Sequence, residues 1–500
     1  MKKQSMWLRI IVLMLSLCML VSVFAACATE DEDTNGAASG EGSEIGGTEG
    51  GDLGAETDAE GFIIDDLGND LNFDRTIRIL GEQKYQSQFY IAEEVEGEPI
   101  KNIIYARNET VQDRLGVEFS WNFVNGDWGS RTEFQKEVET ACTTDPYDLM
   151  ACYNLVPYML AANGFTANLY DEDNYLDLTA PWWPQSLLSE ILVNDTLYAV
   201  TESNDLGLLK NMMAMFFNND LLETRGIESP YDLVEKNEWT IDKLAELIKD
   251  TYEDKNADGG VDKEDVFGFV NATAAKRDAW FFALGYKYAE VSNGEITSLI
   301  GDPKMQDYVD KMVNFYSTND TLINDPSQHK IFVDERAYFY SAGILMTSAL
   351  KDAESTMHYG VVPLPKLTAD QPRYYTHLSN TYDTWCASFN ASDLDVASAV
   401  LECMASESYR QVGPVYFDTY VKLRYATDEK LSPMYDLVRD SVTFDLIYLY
   451  SCAYSTNPKD SLKSCITKPE QNSWSSVYAT NKDSWDSSFA KIVETYAKTK

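Results

Sequence analysis

The sequence has few of the motifs on which enzymes commonly depend. Only three histidines occur in 500 residues, and none lies in an H-E-x-x-H motif or beside a G-x-S-x-G turn. The phosphate-binding G-x-x-x-x-G-K-[ST] loop and the dinucleotide-binding glycine motif are missing as well. A glycosidase-like pair of carboxylates stays open as an alternative, because 81 acidic residues supply many candidates. The sequence therefore favours a protein that is not an enzyme.

Positive charge is also scarce. The chain has 40 Lys and Arg residues against 81 Asp and Glu residues, which gives a net charge of −41. A surface this acidic repels nucleic acid and anionic lipid. The composition therefore argues against both as partners.

What the N-terminus does have is the pattern of a secretory signal peptide over residues 1–26. Three basic residues precede an apolar run at 10–24, and small residues follow. The run is short for a membrane-spanning helix. The string "FAAC" resembles a bacterial lipobox, with Phe24 where Leu is commoner. That resemblance implies cleavage before Cys27, lipidation of Cys27, and attachment to the extracellular face of the cell membrane through the lipid alone.

Residues 27–74 are predicted to be the lipidated cysteine and an acidic, glycine-rich tether. The stretch 28–60 has eleven acidic residues, eight glycines and no basic residue. Such a composition buries too little apolar surface to repay the entropy of ordering, so it predicts a flexible, extended segment.

Six cysteines remain beyond Cys27. No C-x-x-C spacing suggests zinc, and an even number in an exported protein permits disulfides. The closest pairs in sequence, Cys142 with Cys152 and Cys452 with Cys465, are the simplest pairing. Buried free thiols are an equally good interpretation of the same pattern.

The rest of the chain, about 440 residues, is too long for one hydrophobic core and predicts two lobes or domains. Strand and helix patterns alternate at the start of this region, which is typical of a mostly parallel sheet with helices on its faces. The predicted elements are strand 76–80, helix 103–116, strand 117–123, helix 131–142 and strand 147–153. A second unit begins near residue 197 and continues through 212–227 into a predicted helix at 240–254.

The string "DKNADGGVDKED" at 254–265 has the ligand spacing of an EF-hand calcium loop. Oxygen-bearing side chains stand at its positions 1, 3, 5, 9 and 12, with Gly259 at position 6. A predicted strand follows instead of a second helix, which argues against a calcium sensor. The sequence predicts a structural calcium site of modest affinity, with an acidic turn that binds no metal as the alternative. The candidate ligands are Asp254, Asn256, Asp258, the carbonyl of Gly260, Asp262 and Asp265.

Four strings, in this order, resemble the extracellular solute-binding proteins of family 1. They are "NDTLYAV", "FFNNDLLETRGI", "YGVVPLPK" and "VLECMASESYRQVGPVYFD". The members of this family are lipid-anchored receptors that feed sugar ABC importers in Gram-positive bacteria. The resemblance covers nearly everything from residue 75 to 500, although the chain is longer than typical members.

The resemblance implies an α/β fold of the two-lobed periplasmic-binding-protein type, with hinge strands and a ligand cleft between the lobes. It places the N-terminal lobe at 75–196 with 381–425, and the C-terminal lobe at 197–380 with 426–500. It also implies a monomer that binds a small carbohydrate and delivers it to the permease subunits of an ABC importer. An extracellular carbohydrate-active enzyme and a cell-surface adhesion module are the alternatives.

Candidate ligand contacts follow from the expected strand ends and crossings. Sugars combine apolar ring faces with hydroxyl groups, so aromatic rings with carboxylate and amide acceptors suit them. Some of the tryptophans could belong to the hydrophobic core instead. The predicted ligand-binding residues are Glu82, Gln83, Tyr153, Asn154, Glu202, Asn204, Asp205, Asp278, Trp280, Tyr382, Trp385 and Trp474.

Overall fold

A computed structural model of the chain describes residues 56–271, 274–323, 325–352, 357–416 and 429–497. The predicted signal peptide, Cys27 and the first part of the tether lie outside these residues. The strands are β1 (Arg75–Glu82), β2 (Val117–Val124), β3 (Leu149–Tyr153), β4 (Met213–Asn218), β5 (Phe267–Asn271), β6 (Ala289–Ser292), β7 (Glu295–Ser298), β8 (Thr321–Leu322), β9 (Ala337–Gly343), β10 (Tyr359–Pro363) and β11 (Asp383–Ala387).

Helices connect most of these strands. They are α1 (Pro99–Leu115), α2 (Arg131–Ala141), α3 (Val156–Ala162), α4 (Gln185–Ile191), α5 (Leu206–Asn211), α6 (Asn219–Arg225), α7 (Pro230–Glu235), α8 (Ile241–Ile248), α9 (Ala274–Ala283), α10 (Lys304–Tyr316), α11 (Gln328–Val333), α12 (Met346–Asp352), α13 (Leu394–Glu407), α14 (Leu431–Asp440), α15 (Leu446–Leu449), α16 (Pro458–Thr467) and α17 (Trp474–Ala497). No helix in the described ranges is long and apolar enough to cross a membrane.

The first lobe is built on a four-stranded sheet with the order β11-β3-β1-β2. Strand β1 pairs in parallel with β2 and β3, and β11 pairs antiparallel to β3. All five residues of β3 are buried, as expected for a strand covered by helices on both faces. The carboxyl ends of β1, β2 and β3 therefore share one edge with the start of β11.

The second lobe is built on a five-stranded sheet with the order β10-β4-β9-β5-β8. Only β4 runs antiparallel to its neighbours, so the start of β4 shares an edge with the carboxyl ends of β5, β9 and β10. The seven residues of β9 are all buried. This pair of α/β sheets confirms the fold class that the sequence predicted.

The last helix contacts both lobes. In α17, the carbonyl of Thr495 accepts a hydrogen bond at 2.9 Å from Tyr198. This tyrosine is two residues from Val200, which is bridged to Trp385 of the first sheet. The same helix packs Tyr478 close to Gly301, which precedes α10 of the second lobe. Helix α17 therefore packs against the surroundings of both sheets, and the predicted lobe boundaries stay predictions.

Two predicted boundaries differ from the structure. The helix predicted at 240–254 ends at Ile248, because the Asp320 carboxylate accepts hydrogen bonds from the backbone N–H groups of Thr251 and Tyr252, both at 2.9 Å. The tether predicted to reach residue 74 ends earlier. Asp65 forms an ion pair with Arg114 of α1 at 2.6 Å, and Leu67 is buried.

The cysteine pairings given above as the simplest do not form. All six cysteines at positions 142, 152, 386, 403, 452 and 465 are free thiols. Cys152 instead hydrogen-bonds with Cys386, which lies on the neighbouring strand β11. The two residues occupy diagonal positions of the ladder, where Cα atoms are generally farther apart than a relaxed disulfide allows.

Candidate ligand-binding site between the two sheets

A chain of polar side chains shows where the carboxyl edges of the two sheets meet. Asn154 follows β3 of the first lobe, and Asp278 lies on α9, directly after β5 of the second lobe. Asn154 donates to Asn380 Oδ1 at 3.4 Å. The Tyr448 hydroxyl lies 3.1 Å from Asn380 Oδ1 and 3.0 Å from Asp278 Oδ2. Because a ligand in such a fold binds at this edge of the strands, this junction is the candidate site.

Two lysines of α16 join this chain from the second lobe. Lys463 Nζ lies 3.1 Å from Asp278 Oδ1, and Lys459 Nζ lies 4.0 Å from Asp278 Oδ2. The Lys459 ammonium also stands 4.8 Å from the ring centroid of Trp128, in the loop after β2 of the first lobe. The guanidinium of Arg131 stacks over the same ring at 4.6 Å. This cation–π contact between Trp128 and Lys459 therefore links the two lobes.

Several buried polar atoms at the junction make no hydrogen bond to any described residue. They include Asn154 Oδ1 and both ring nitrogens of His377. The His377 ring is stacked on Phe282, with centroids 4.2 Å apart, and meets the Tyr448 ring edge-on at 4.6 Å. Burial, with a contribution from Lys459, lowers the pKa of His377 to about 3, so the imidazole is neutral. Native proteins rarely leave such atoms without a partner, and a bound ligand is one explanation.

The residues of this polar chain are in direct contact. Asn154, Asn380, Tyr448 and Asp278 are joined by hydrogen bonds of 3.0 to 3.4 Å, and all four side chains are buried. The two lobes therefore touch at this junction, which we call the closed arrangement, and a sugar between them would need them to separate.

Four of the predicted ligand residues come together at this junction. Besides Asn154 and Asp278, the Tyr153 hydroxyl hydrogen-bonds with Asn380, and Tyr382 hydrogen-bonds with Asn154. All four side chains are buried in the closed arrangement.

Glu82 and Gln83 have other surroundings. Both carboxylate oxygens of Glu82 accept backbone N–H groups, from Lys84 at 3.0 Å and from Tyr85 at 2.7 Å, and shape the loop after β1. Gln83 is exposed to solvent, and its backbone N–H donates to the Val124 carbonyl.

The predicted tryptophans lie in the hydrophobic interior, where they offer no free ring face. Trp280 packs against Phe269 and Phe315 in the second lobe. Trp474 stacks on Trp485 with centroids 5.5 Å apart. Trp385 lies on β11 and is 2% exposed, packed against Phe89 and Trp121.

Glu202 and Asp205 lie at the chain crossing between the lobes, buried together with Asp383. Asn204 instead lines a separate cavity of about 700 Å³, which shares no lining residue with the polar chain. Arg373 and Arg439 line this second cavity from the second lobe.

Sequence reasoning did not find Trp128, His377, Asn380, Tyr448 or Lys459. Asn380 stands only two residues before Tyr382, so a wider window around the return crossing would have found it. Tyr448 and Lys459 lie in a C-terminal segment in which the sequence shows no motif, and sequence alone gives no signal for them.

The predicted calcium loop folds into a compact turn. Asp265 is fully buried, and its carboxylate accepts the N–H of Lys255 and of Asp262 and the hydroxyl of Tyr252. The same hydroxyl lies 2.8 Å from the Gly260 carbonyl. The side chains of Asn256, Asp258 and Asp262 each accept a backbone N–H two residues further on.

One atom of this loop lacks a partner. Asp254 Oδ2 accepts the Gly259 N–H at 3.0 Å, whereas Asp254 Oδ1 is buried and makes no hydrogen bond to the described residues. Within those residues, no group of three or more His, Cys, Asp or Glu side chains is arranged to hold a metal ion. Calcium at this loop therefore stays a prediction.

The sequence matches no protein-family model and no curated protein. Solved structures with a similar fold include a cyclic α-maltosyl-1,6-maltose binding protein from Arthrobacter globiformis (TM-score 0.54, 13% identity, 84% of this chain and 98% of that chain covered). A galacto-N-biose/lacto-N-biose I-binding protein of a Bifidobacterium longum ABC transporter has a TM-score of 0.54 at 10% identity, with 83% of this chain and 97% of that chain covered. Maltose-bound MalE3 of T. maritima has a TM-score of 0.50 at 16% identity, with 85% of this chain and 99% of that chain covered. The chain thus has the two-lobed, periplasmic-binding-protein-like fold of these binding proteins.

Proposed function

We propose that the protein is an extracellular solute-binding protein that binds a carbohydrate between its two lobes and delivers it to an ABC importer. The observation that carries this proposal is the set of buried polar atoms without partners at the junction, on Asn154 and His377. The solved structures of similar fold support the ligand class, because their names describe proteins that bind maltose, a cyclic maltosyl-maltose and lacto-N-biose.

The chemistry of the junction suits hydroxyl groups. Asn154 Oδ1 can accept a hydrogen bond, and a neutral imidazole offers one donor and one acceptor. The Tyr85 and Tyr153 rings, stacked with centroids 6.4 Å apart, place aromatic carbon beside the polar chain. Aromatic carbon suits the C–H side of a sugar ring. A rim of donors and acceptors around aromatic faces is the composition that sugar recognition requires.

The role of the chain would be binding without catalysis. The proteins of similar fold are themselves binding proteins, and closure of two lobes over a solute needs no bond to be broken. The lipid anchor at Cys27 and the importer as partner belong to the same proposal, and they rest on the signal-peptide pattern and on the family resemblance.

We also propose a structural calcium ion at the 254–265 loop. The unpartnered oxygen of Asp254 supports it, since a buried carboxylate oxygen needs a donor or a cation. Asp262 and the Gly260 carbonyl would complete the oxygen ligands that calcium prefers. The ion would fix the connection between α8 and β5 and would take no part in sugar binding.

A thermal-shift screen against a panel of mono- and oligosaccharides tests the binding proposal. A sugar at about 100 times its Kd raises the free energy of unfolding by about 2.7 kcal/mol, which a melting curve detects. Asn154→Ala and His377→Ala should reduce the shift, whereas His329→Ala, at an exposed position of α11, should leave it unchanged.

The proposal fails if no sugar shifts the melting temperature of the folded protein. Chromatography of the sugar after incubation separates a receptor from the alternative enzyme. A receptor returns the sugar intact. Cleavage products would contradict the proposal and would favour the alternative, a carbohydrate-active enzyme.

A further inference from the structure

Two of the chain crossings between the lobes, at residues 200–205 and 380–385, are tied together by hydrogen bonds. Val200 on the first crossing pairs with Trp385 on the second through backbone hydrogen bonds of 2.9 and 2.8 Å. The next residues along each crossing, Thr201 and Thr384, join their hydroxyls at 2.8 Å. Any change in the angle between the lobes must be absorbed at or next to this ladder.

Three carboxylates lie just beyond the ladder, and we call them the crossing cluster: Glu202, Asp205 and Asp383. They are 4%, 4% and 1% exposed, respectively. Asp205 Oδ1 accepts the backbone N–H of Leu208 at 2.7 Å and lies 3.5 Å from the backbone nitrogen of Asp383. The first two belong to one crossing and the third to the other.

The compensating positive charge is smaller than the negative charge. The Arg107 guanidinium of α1, itself 2% exposed, lies 3.6 Å from Glu202 and is the close cation of the cluster. Asp383 Oδ2 makes no hydrogen bond to the described residues. The other titratable or charged groups that face the cluster are Glu82, Cys152, Lys210, Tyr382 and Cys386.

Like charges buried next to one another cannot all stay ionised. Desolvation and mutual repulsion each favour the neutral form of one partner, as they do in pairs of carboxyl groups that share a site. Three carboxylates against one close guanidinium leave an excess of negative charge, and Lys210 on α5 is only partly buried.

We propose that the crossing cluster binds a proton, shared between Asp205 and Asp383, and that the proton holds the lobes in their closed arrangement. When the proton is lost, two negative charges on different crossings repel each other in a medium of low dielectric constant. Separation of the lobes admits water and relieves the repulsion, so the open arrangement releases the proton and the closed one takes it up.

The pKa values of Asp205 and Asp383 are both raised, as this geometry requires. Burial, followed by the charge of Glu202, raises the pKa of Asp205 to about 7. Burial and then the charge of Asp205 raise the pKa of Asp383 well above its ordinary value. Both shifts therefore favour a proton on this pair at neutral pH, and a rise of the external pH removes it.

Small-angle X-ray scattering of the sugar-free protein tests the proposal. From about pH 6 to about pH 8.5 the radius of gyration of the wild type should increase. The double variant Asp205→Asn with Asp383→Asn carries no charge at these positions, so its radius of gyration should stay constant over the same pH range. A wild-type radius that does not change with pH overturns the proposal, as does an equal change in the folded double variant.

Infrared spectroscopy checks the bound proton without relying on lobe motion. The wild type at about pH 6 should show a carboxylic-acid C=O band that weakens as the pH rises and that is reduced in each single Asn variant. Glu402→Gln, a buried carboxyl group outside the crossings, is the matched control. This substitution should lower the intensity of the C=O band but leave the pH dependence of the radius of gyration unchanged. No bound sugar is needed in either experiment, so their failure does not affect the proposed function.

Discussion

At the scale of the residue, His377 shows how surroundings change the meaning of a side chain. An imidazole between Phe282 and Tyr448 is held neutral, because burial lowers its pKa to about 3. In the unfolded chain the same group has a pKa near 6.5. Between about pH 3 and about pH 6.5 the unfolded state therefore binds the proton more tightly than the folded state does. The stability that His377 contributes is present above about pH 6.5 and is lost as the pH falls below that value.

This gives a prediction for acid unfolding. His377→Gln should lose less of its unfolding free energy between about pH 6.5 and about pH 4 than the wild type does, because the titrating group is gone. Urea unfolding followed by circular dichroism at a series of pH values measures the difference. The exposed His329→Gln is the control, and a parallel loss in wild type and His377→Gln would contradict the prediction.

A second residue-scale prediction concerns Trp280, which sequence reasoning assigned to the ligand. The structure places its ring among Phe269 and Phe315, fully buried. Trp280→Ala should therefore lower the unfolding free energy by about 3–5 kcal/mol through the cavity that it leaves. Denaturant titration measures this loss. A normal stability combined with weaker sugar binding would restore the original assignment.

Trp128 provides the opposite case. It is 37% exposed and contacts Lys459 across the lobes. Trp128→Ala should leave stability within about 0.5 kcal/mol of wild type, as is usual for surface substitutions. It should weaken sugar binding by about 0.5–1 kcal/mol, the size of an exposed cation–π contact. Trp128→Phe retains part of the contact, so its sugar affinity should lie between those of the wild type and Trp128→Ala.

At the scale of the element, the first three strands and the C-terminal ends of α1 and α2 could be predicted from sequence to within two residues, but the end of α8 could not. The apolar runs of β1, β3 and β5 are signals that each segment carries by itself. The end of α8 depends on Asp320, a residue 69 positions away from Thr251 that no local pattern connects to it. The same limit applies to the site. Tyr153 and Asn154 stand at a recognisable strand end, whereas Tyr448 lies in a segment without a motif.

The calcium prediction belongs to this scale, because the loop connects α8 to β5. Calcium at millimolar concentration should raise the melting temperature, and the chelator EDTA should reverse the increase. Asp254→Ala should abolish the effect by removing the unpartnered oxygen, and Asp302→Ala, outside the loop, should not. A melting temperature independent of calcium and EDTA would leave only an acidic turn.

At the scale of the whole molecule, buried acids make the stability depend on pH. Burial raises the pKa of Asp445 to about 7 and that of Glu402 to about 8. Both values lie above those of the unfolded chain, so the folded state binds protons more tightly in this range. The melting temperature should therefore fall as the pH rises from about 6 to about 8.5. Glu402→Gln should flatten the profile, and a rising profile would contradict the assignment.

The order of strands in the first sheet also affects how the chain folds. The fourth strand of that sheet, β11, pairs with β3 from more than 200 residues further along. Between them lies every strand of the five-stranded sheet, which can assemble from a continuous segment at 213–363. The first sheet must therefore wait, with an unpaired edge on β3, until the second has been synthesised. Pairings this distant slow folding, so we expect two kinetic phases, with the second lobe forming first.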